Sequence, residues 1–129
     1  MAEQKLILIV DDEPAFREIF GAKFAADGFR IETAENGQIG VEKAKALKPD
    51  LILMDVNMPV MDGATAVLKL HDDPETKDLK VVFLTALGDP KKEIQELNHK
   101  FSQDFGAQGY LKKTDDLNAL NEQVKTFLQ

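Results

Sequence analysis

A fivefold alternation of short apolar runs with stretches of helical period is the feature that most constrains this chain. Leu6 to Val10, Leu51 to Met54 and Val81 to Leu84 are unbroken apolar runs. Runs of this length suit strands covered on both faces, as in the middle of a parallel sheet. Two further candidates are weaker. Phe29 to Thr33 alternates apolar and polar residues, and Gly109-Tyr110-Leu111 is short and bracketed by Gln108 and Lys112. Alternation and brevity mark sheet edges.

Between the runs, apolar residues recur at helical spacing. Phe16, Ile19, Phe20 and Phe24 follow Pro14, a residue favoured in a first helical turn, and Gly28 stands in a stop position. Val41, Ala44 and Leu47 form a second stripe, and Ala64, Val67, Leu68 and Leu70 a third after Asp62-Gly63. Ile94, Leu97, Phe101 and Phe105 form a fourth. Leu117, Leu120, Val124 and Phe127 form the last, with Thr114 as N-cap and Asp115 and Asp116 in the first turn. Strict alternation predicts an α/β, doubly wound, five-stranded parallel sheet with helices on both faces. Internal unbroken runs and weak edges give the strand order 2-1-3-4-5, a flavodoxin-like order that opens a crevice between strands 1 and 3 at their carboxyl ends. With 129 residues the expectation is a single domain over 1–129 with no output domain.

Composition narrows the function. Sixteen basic against 23 acidic residues give a net charge of −7, which disfavours nucleic acid and anionic membrane as partners. The absence of cysteine excludes disulfides, thiolate metal sites and cysteine nucleophiles. The longest early apolar run, Leu6 to Val10, is too short for a signal peptide or a membrane span, so a cytoplasmic location is expected.

The residues that end the central strands carry the chemistry. Asp11 and Asp12 follow the first strand, Asp55 the third and Thr85 the fourth, so all four face one crevice. One strand-end aspartate is a common turn residue; the constellation is not. Each contacting pair of carboxylates repels by roughly 4 kcal/mol at an effective dielectric near 20. A bound cation, a shared proton or a lysine must compensate. Oxygen ligands without His or Cys suit a hard divalent ion, and few carboxylates with several waters suit Mg²⁺. Lys112 and Lys113 follow the fifth strand and bring positive charge to the same end. A carboxylate, Mg²⁺, a hydroxyl and an ammonium together suit a phosphoryl group in transfer, with Asp55 as acceptor. His71 and His99 lack ligand-like spacing and are read as surface or packing residues, and Phe16, Phe20, Phe24, Phe101 and Phe105 as core.

Ile9-Val10-Asp11-Asp12-Glu13-Pro14, Leu53-Met54-Asp55-Val56-Asn57-Met58-Pro59 with Met61-Asp62-Gly63, Leu84-Thr85-Ala86 and Gly106 to Lys113 together resemble the response-regulator receiver domain of two-component signalling. The resemblance spans essentially the whole chain. It implies that Asp55 accepts a phosphoryl group from the phosphohistidine of a histidine kinase or phosphotransfer protein. It implies Mg²⁺ held by Asp12, Asp55 and the backbone carbonyl of Asn57, with Asp11 acting mainly through water. Thr85 matches the hydroxyl that turns toward the phosphoryl oxygen, Lys113 the lysine that pairs with it, and Tyr110 the aromatic whose burial accompanies the active state. The protein is then a phosphorylation switch rather than an enzyme, a monomer or a phosphorylation-dependent dimer. A downstream protein reads it through the fourth helix, fifth strand and fifth helix.

The chain departs from the family at two places. Thr114 stands after Lys113 where proline is usual, which makes Lys112 the alternative lysine. Thr85 and Tyr110 are 25 positions apart, a long interval that predicts an extended fourth helix or an altered loop around Gly88-Asp89-Pro90-Lys91-Lys92, with a partner-specific surface there. Competing readings are an aspartyl-phosphate phosphatase of the haloacid-dehalogenase type, a flavodoxin-like FMN carrier and a degenerate, unphosphorylated receiver. The first needs an acid two residues after its nucleophile, where Asn57 stands, and the second a first loop that welcomes phosphate, where Asp11-Asp12-Glu13 stands.

Overall fold

Apolar runs interrupted by acids and turns fold here into strands of four or five residues, each followed by a return across the sheet. The computed structural model describes residues 4–56, 58–85, 109–113 and 116–128. In chain order these form β1 (Leu6–Val10), α1 (Pro14–Ala26), β2 (Arg30–Ala34), α2 (Gly37–Leu47), β3 (Leu51–Asp55), α3 (Gly63–Asp72), β4 (Val81–Thr85), β5 (Gly109–Lys112) and a C-terminal helix (Leu117–Leu128). The sheet order is β2-β1-β3-β4-β5 and every ladder is parallel, as the alternation predicts. The fourth apolar stripe, around Ile94 to Phe105, and the expected departure around Gly88 to Lys92 lie outside the described residues.

The pleat sends alternate strand residues to opposite layers. Leu8, Val10, Ile52, Met54 and Phe83 pack with Ala66, Val67 and Leu70 on one face. Ile7, Ile9, Leu51, Leu53, Val82 and Leu84 pack with Phe20, Phe24, Leu120 and Val124 on the other. β1, β3 and β4 are buried throughout, as unbroken apolar strands must be. β2 runs one residue later than the sequence suggests, because the Phe29 N–H donates to the Phe24 carbonyl at 3.2 Å and the ladder with β1 opens at Arg30. β5 takes in Lys112 as well.

Two helical stripes need correction. Ile19 is 59% exposed, because α1 buries the i, i+4, i+8 line of Phe16, Phe20 and Phe24, whose rings stack at 5.0 and 4.4 Å. Leu47 is also exposed, since α2 turns its small residues Gly40 and Ala44 to the sheet, with Gly37 against the Met61 backbone. Gly40 leaves no choice: a Cβ there would stand 2.9 Å from both methyl groups of Val10. Asn36 caps α2 by accepting from the Ile39 N–H at 2.9 Å, and Asp62 caps α3 from Thr65 at 2.8 Å. Gly28 ends the α1 turn with φ +94°, as a stop glycine should. Thr114 and Asp115 are outside the described residues. Asp116 precedes the C-terminal helix instead of lying in its first turn, its carbonyl accepting from Leu120 N–H at 2.9 Å.

Candidate functional site

Parallel strands with right-handed crossovers bring the carboxyl ends of β1, β3, β4 and β5 to one edge, and the chemistry-bearing residues gather there. Side-chain oxygens of Asp11, Asp12 and Asp55 all lie within 4.8 Å of one another. Asp11 and Asp55 are buried, while Asp12 faces solvent. The loop after β1 is fixed by its backbone: Asp11 N–H donates to the Ala34 carbonyl at 3.0 Å, and Glu13 N–H donates to Asp11 Oδ1 at 2.8 Å. Asp55 Oδ1 accepts from the Val56 N–H at 2.9 Å. The loop after β3 then turns back sharply enough that a Cβ on Gly63 would collide with the Asp55 carbonyl.

Lys113 enters from the far side. Its backbone N–H donates to the Thr85 carbonyl at 2.7 Å, which ties the end of β5 to the end of β4. Its ammonium lies 2.7 Å from Asp11 Oδ2 and 3.7 Å from Asp55 Oδ2. Lys112 pairs with Thr85 in the ladder and is exposed, so Lys113 rather than Lys112 meets the acids. Thr85 is fully buried, and among the described residues its Oγ1 has no hydrogen-bond partner. A buried hydroxyl without a partner costs free energy that a new acceptor in the crevice would recover.

One ammonium does not balance the acids. Burial, with Asp11 beside it, pushes the Asp55 carboxyl up to about 8. Burial also raises Asp11 above its ordinary value, against the pull of Lys113. Burial opposes the charge on Lys113, yet Asp11, Glu13 and Asp55 outweigh it and hold the ammonium more firmly than usual. Such a cluster has room for more positive charge. Its donors are all oxygens, which fits Mg²⁺ and not a nitrogen- or sulfur-seeking ion.

Among the expected residues, Asp11, Asp12, Asp55 and Lys113 bring their side chains together, and Thr85 ends β4 beside them, tied through its carbonyl to the Lys113 N–H. Asn57 lies outside the described residues, as do His99 and the side chain of Tyr110. His71 sits exposed near the end of α3, as expected of a surface residue. Three neighbours of the site were not legible from the sequence. Glu13 Oε1 stands 2.6 Å from Lys113 Nζ, the Phe16 ring centroid lies 4.7 Å from the same nitrogen, and Arg17 donates to the Asp11 carbonyl at 2.6 Å. The available signal was position. All three fall in the first turns after β1, on the face that α1 turns to the crevice.

The family model of the response regulator receiver domain matches residues 7–125. The chain belongs to that family. This receiver is 35% identical over 123 residues to the DNA-binding dual master transcriptional regulator RpaA of Synechocystis, covering 95% of the chain but 48% of RpaA. It is 34% identical over 122 residues to the protein PilH of Pseudomonas aeruginosa, covering 95% of the chain and 96% of PilH. The chain thus spans about half the length of one relative and nearly all of the other. Among solved structures, the response regulator TrrA of Thermotoga maritima in complex with Mg²⁺ and beryllofluoride superposes with a TM-score of 0.79 at 30% identity. That match covers 97% of this chain and all of the other. The receiver therefore has the fold and the family membership of two-component signalling. No helix among its described residues is long and apolar enough to cross a membrane.

Proposed function

We propose that this receiver is a phosphorylation switch in which Asp55 takes a phosphoryl group from a phosphohistidine on a histidine kinase or phosphotransfer protein. The observation that carries the reading is the convergence of three carboxylates, one ammonium and one buried hydroxyl, partnerless among the described residues, at the ends of four strands. In the transfer, an Asp55 oxygen forms a bond to phosphorus as the phosphorus–nitrogen bond breaks. The bond's electron pair stays with the imidazole nitrogen, which then takes up a proton. The product is an acyl phosphate.

Asp12, Asp55 and the backbone carbonyl of Asn57 would hold Mg²⁺, with Asp11 acting through water. When bound, Mg²⁺ neutralises charge on the phosphoryl oxygens, which is most of what phosphoryl transfer requires. Lys113 supplies a second positive charge at the same oxygens, and the Thr85 hydroxyl donates the hydrogen bond that it lacks at rest. Both groups act on the product as well as on the transfer, so the phosphorylated form differs from the resting one at β4 and β5. A protein partner reads that difference at the surface the family resemblance assigns, the apolar stripe from Ile94 to Phe105 with β5 and the C-terminal helix, and Tyr110 is the aromatic matched to the switch. The net charge of −7 favours protein partners over nucleic acid, in the cytoplasm.

Incubation with Mg²⁺ and acetyl phosphate, followed by intact mass measurement, tests the reading. The wild-type protein should gain one acid-labile phosphoryl group and Asp55→Asn none. Equal labelling of Asp55→Asn would refute the acceptor assignment, and an unlabelled wild type would favour a degenerate receiver.

A further inference from the structure

With its side chain Glu13 does not serve the helix that it precedes, although its carbonyl accepts from the Arg17 N–H at 3.2 Å. It occupies the N-cap of α1, where a short polar side chain ordinarily accepts a bond from the first turn, and its carboxylate makes no such bond. That carboxylate instead takes the Lys113 ammonium at 2.6 Å, with the lysine side chain 8% exposed and the glutamate side chain 63% exposed. Asp11 holds the same nitrogen at 2.7 Å, and the Phe16 ring stands beside it. Asp55, at 3.7 Å, is beyond hydrogen-bond length. The ammonium therefore rests on the α1 side of the crevice, against groups that follow β1, and not on the acid that ends β3.

We propose that Glu13 is a positioning residue that holds Lys113 away from Asp55 and competes with phosphoryl oxygens for it. The inference rests on the receiver reading of Asp55 and Lys113. Release of the lysine is inexpensive on the glutamate side, because the exposed carboxylate returns to water and an ion pair with one exposed partner is partly screened. On the lysine side a phosphoryl dianion offers a stronger acceptor than a carboxylate. The resting pair thus sets how readily the lysine is given up. It lowers the affinity of the site for a phosphoryl group without touching that group.

Titration of beryllofluoride at saturating Mg²⁺ into four proteins tests this: wild type, Glu13→Gln, Lys113→Met and the double variant. Glu13→Gln keeps the shape and removes the charge. It should tighten beryllofluoride binding about two- to fivefold, the range of a partly exposed ion pair released, and change nothing where Lys113 is already methionine. An equal effect in both lysine backgrounds would show that Glu13 acts by its charge alone, and no tightening in the first would show that it does not compete. Either result overturns the inference. No beryllofluoride binding by the wild type would overturn the receiver reading, and the inference with it. If Lys113→Met fails to fold or to bind, the ¹⁵N resonance of the Lys113 ammonium decides. It should move between wild type and Glu13→Gln without Mg²⁺, and coincident resonances would contradict the pairing.

Discussion

At the scale of single residues, proton and metal compete for the same oxygens. Without a cation, Asp55 holds its proton up to a pH of about 8, because burial and the neighbouring Asp11 disfavour its charge. Binding of Mg²⁺ near pH 7 should therefore release close to one proton, and affinity should rise with pH until about 8. Calorimetry in buffers of different ionisation enthalpy reads that proton directly; heat independent of buffer would contradict it. The same shift governs stability. A folded-state value raised above the unfolded one means that the native state binds more protons between about pH 4 and pH 8, so the Asp55 contribution falls as pH rises through that window. Asp55→Asn, which keeps the shape without the charge, should gain stability relative to wild type as pH is raised from 5 to 8 in chelator. A gap in urea midpoints that shrinks with pH would have the wrong sign. Asp12 faces solvent, so Asp12→Asn should leave folding intact while weakening Mg²⁺ binding about tenfold or more, measured by the same titration.

At the scale of elements, close approach and strain decide what the loops around the crevice tolerate. Val60 has a φ of +69° and is 81% exposed, a β-branched residue held in the left-handed region beside the acceptor loop. Its strain is not repaid by burial. Val60→Gly should stabilise the protein by about 1 kcal/mol, the left-handed penalty less part of the glycine's chain entropy, seen as a higher urea midpoint. Gly40→Ala should do the reverse by about 1–3 kcal/mol, since the added methyl meets Val10 at 2.9 Å. Among the described residues, the helix and strand assignments were legible because unbroken and periodic patterns are long-range consequences of burial. Ile19 and Leu47 were misplaced for a local reason. Both lie beside the buried line of their helix, and apolar identity alone does not tell a face from its margin.

At the scale of the whole molecule, the site is a product of topology. The order β2-β1-β3-β4-β5 reverses direction between β1 and β3, and the acids that end those two strands meet across the resulting crevice. This is why Asp11, Asp12, Asp55 and Thr85 could be assembled from sequence: each needs only a strand end, not a rotamer. Lys113 was harder, because Lys112 is its neighbour and the register of β5 on β4, with the Thr85 carbonyl bond at 2.7 Å, sets which of the two faces inward. Glu13 and Phe16 were harder still, since their roles depend on side-chain direction at the start of a helix. The central claim is that one aspartate, Asp55, carries the phosphoryl group. Borohydride reduction of protein treated with Mg²⁺ and acetyl phosphate converts an aspartyl phosphate into homoserine, which peptide mass spectrometry locates. Homoserine at position 55 alone is the predicted result; homoserine at 11 or 12, or none in the phosphorylated protein, would contradict it.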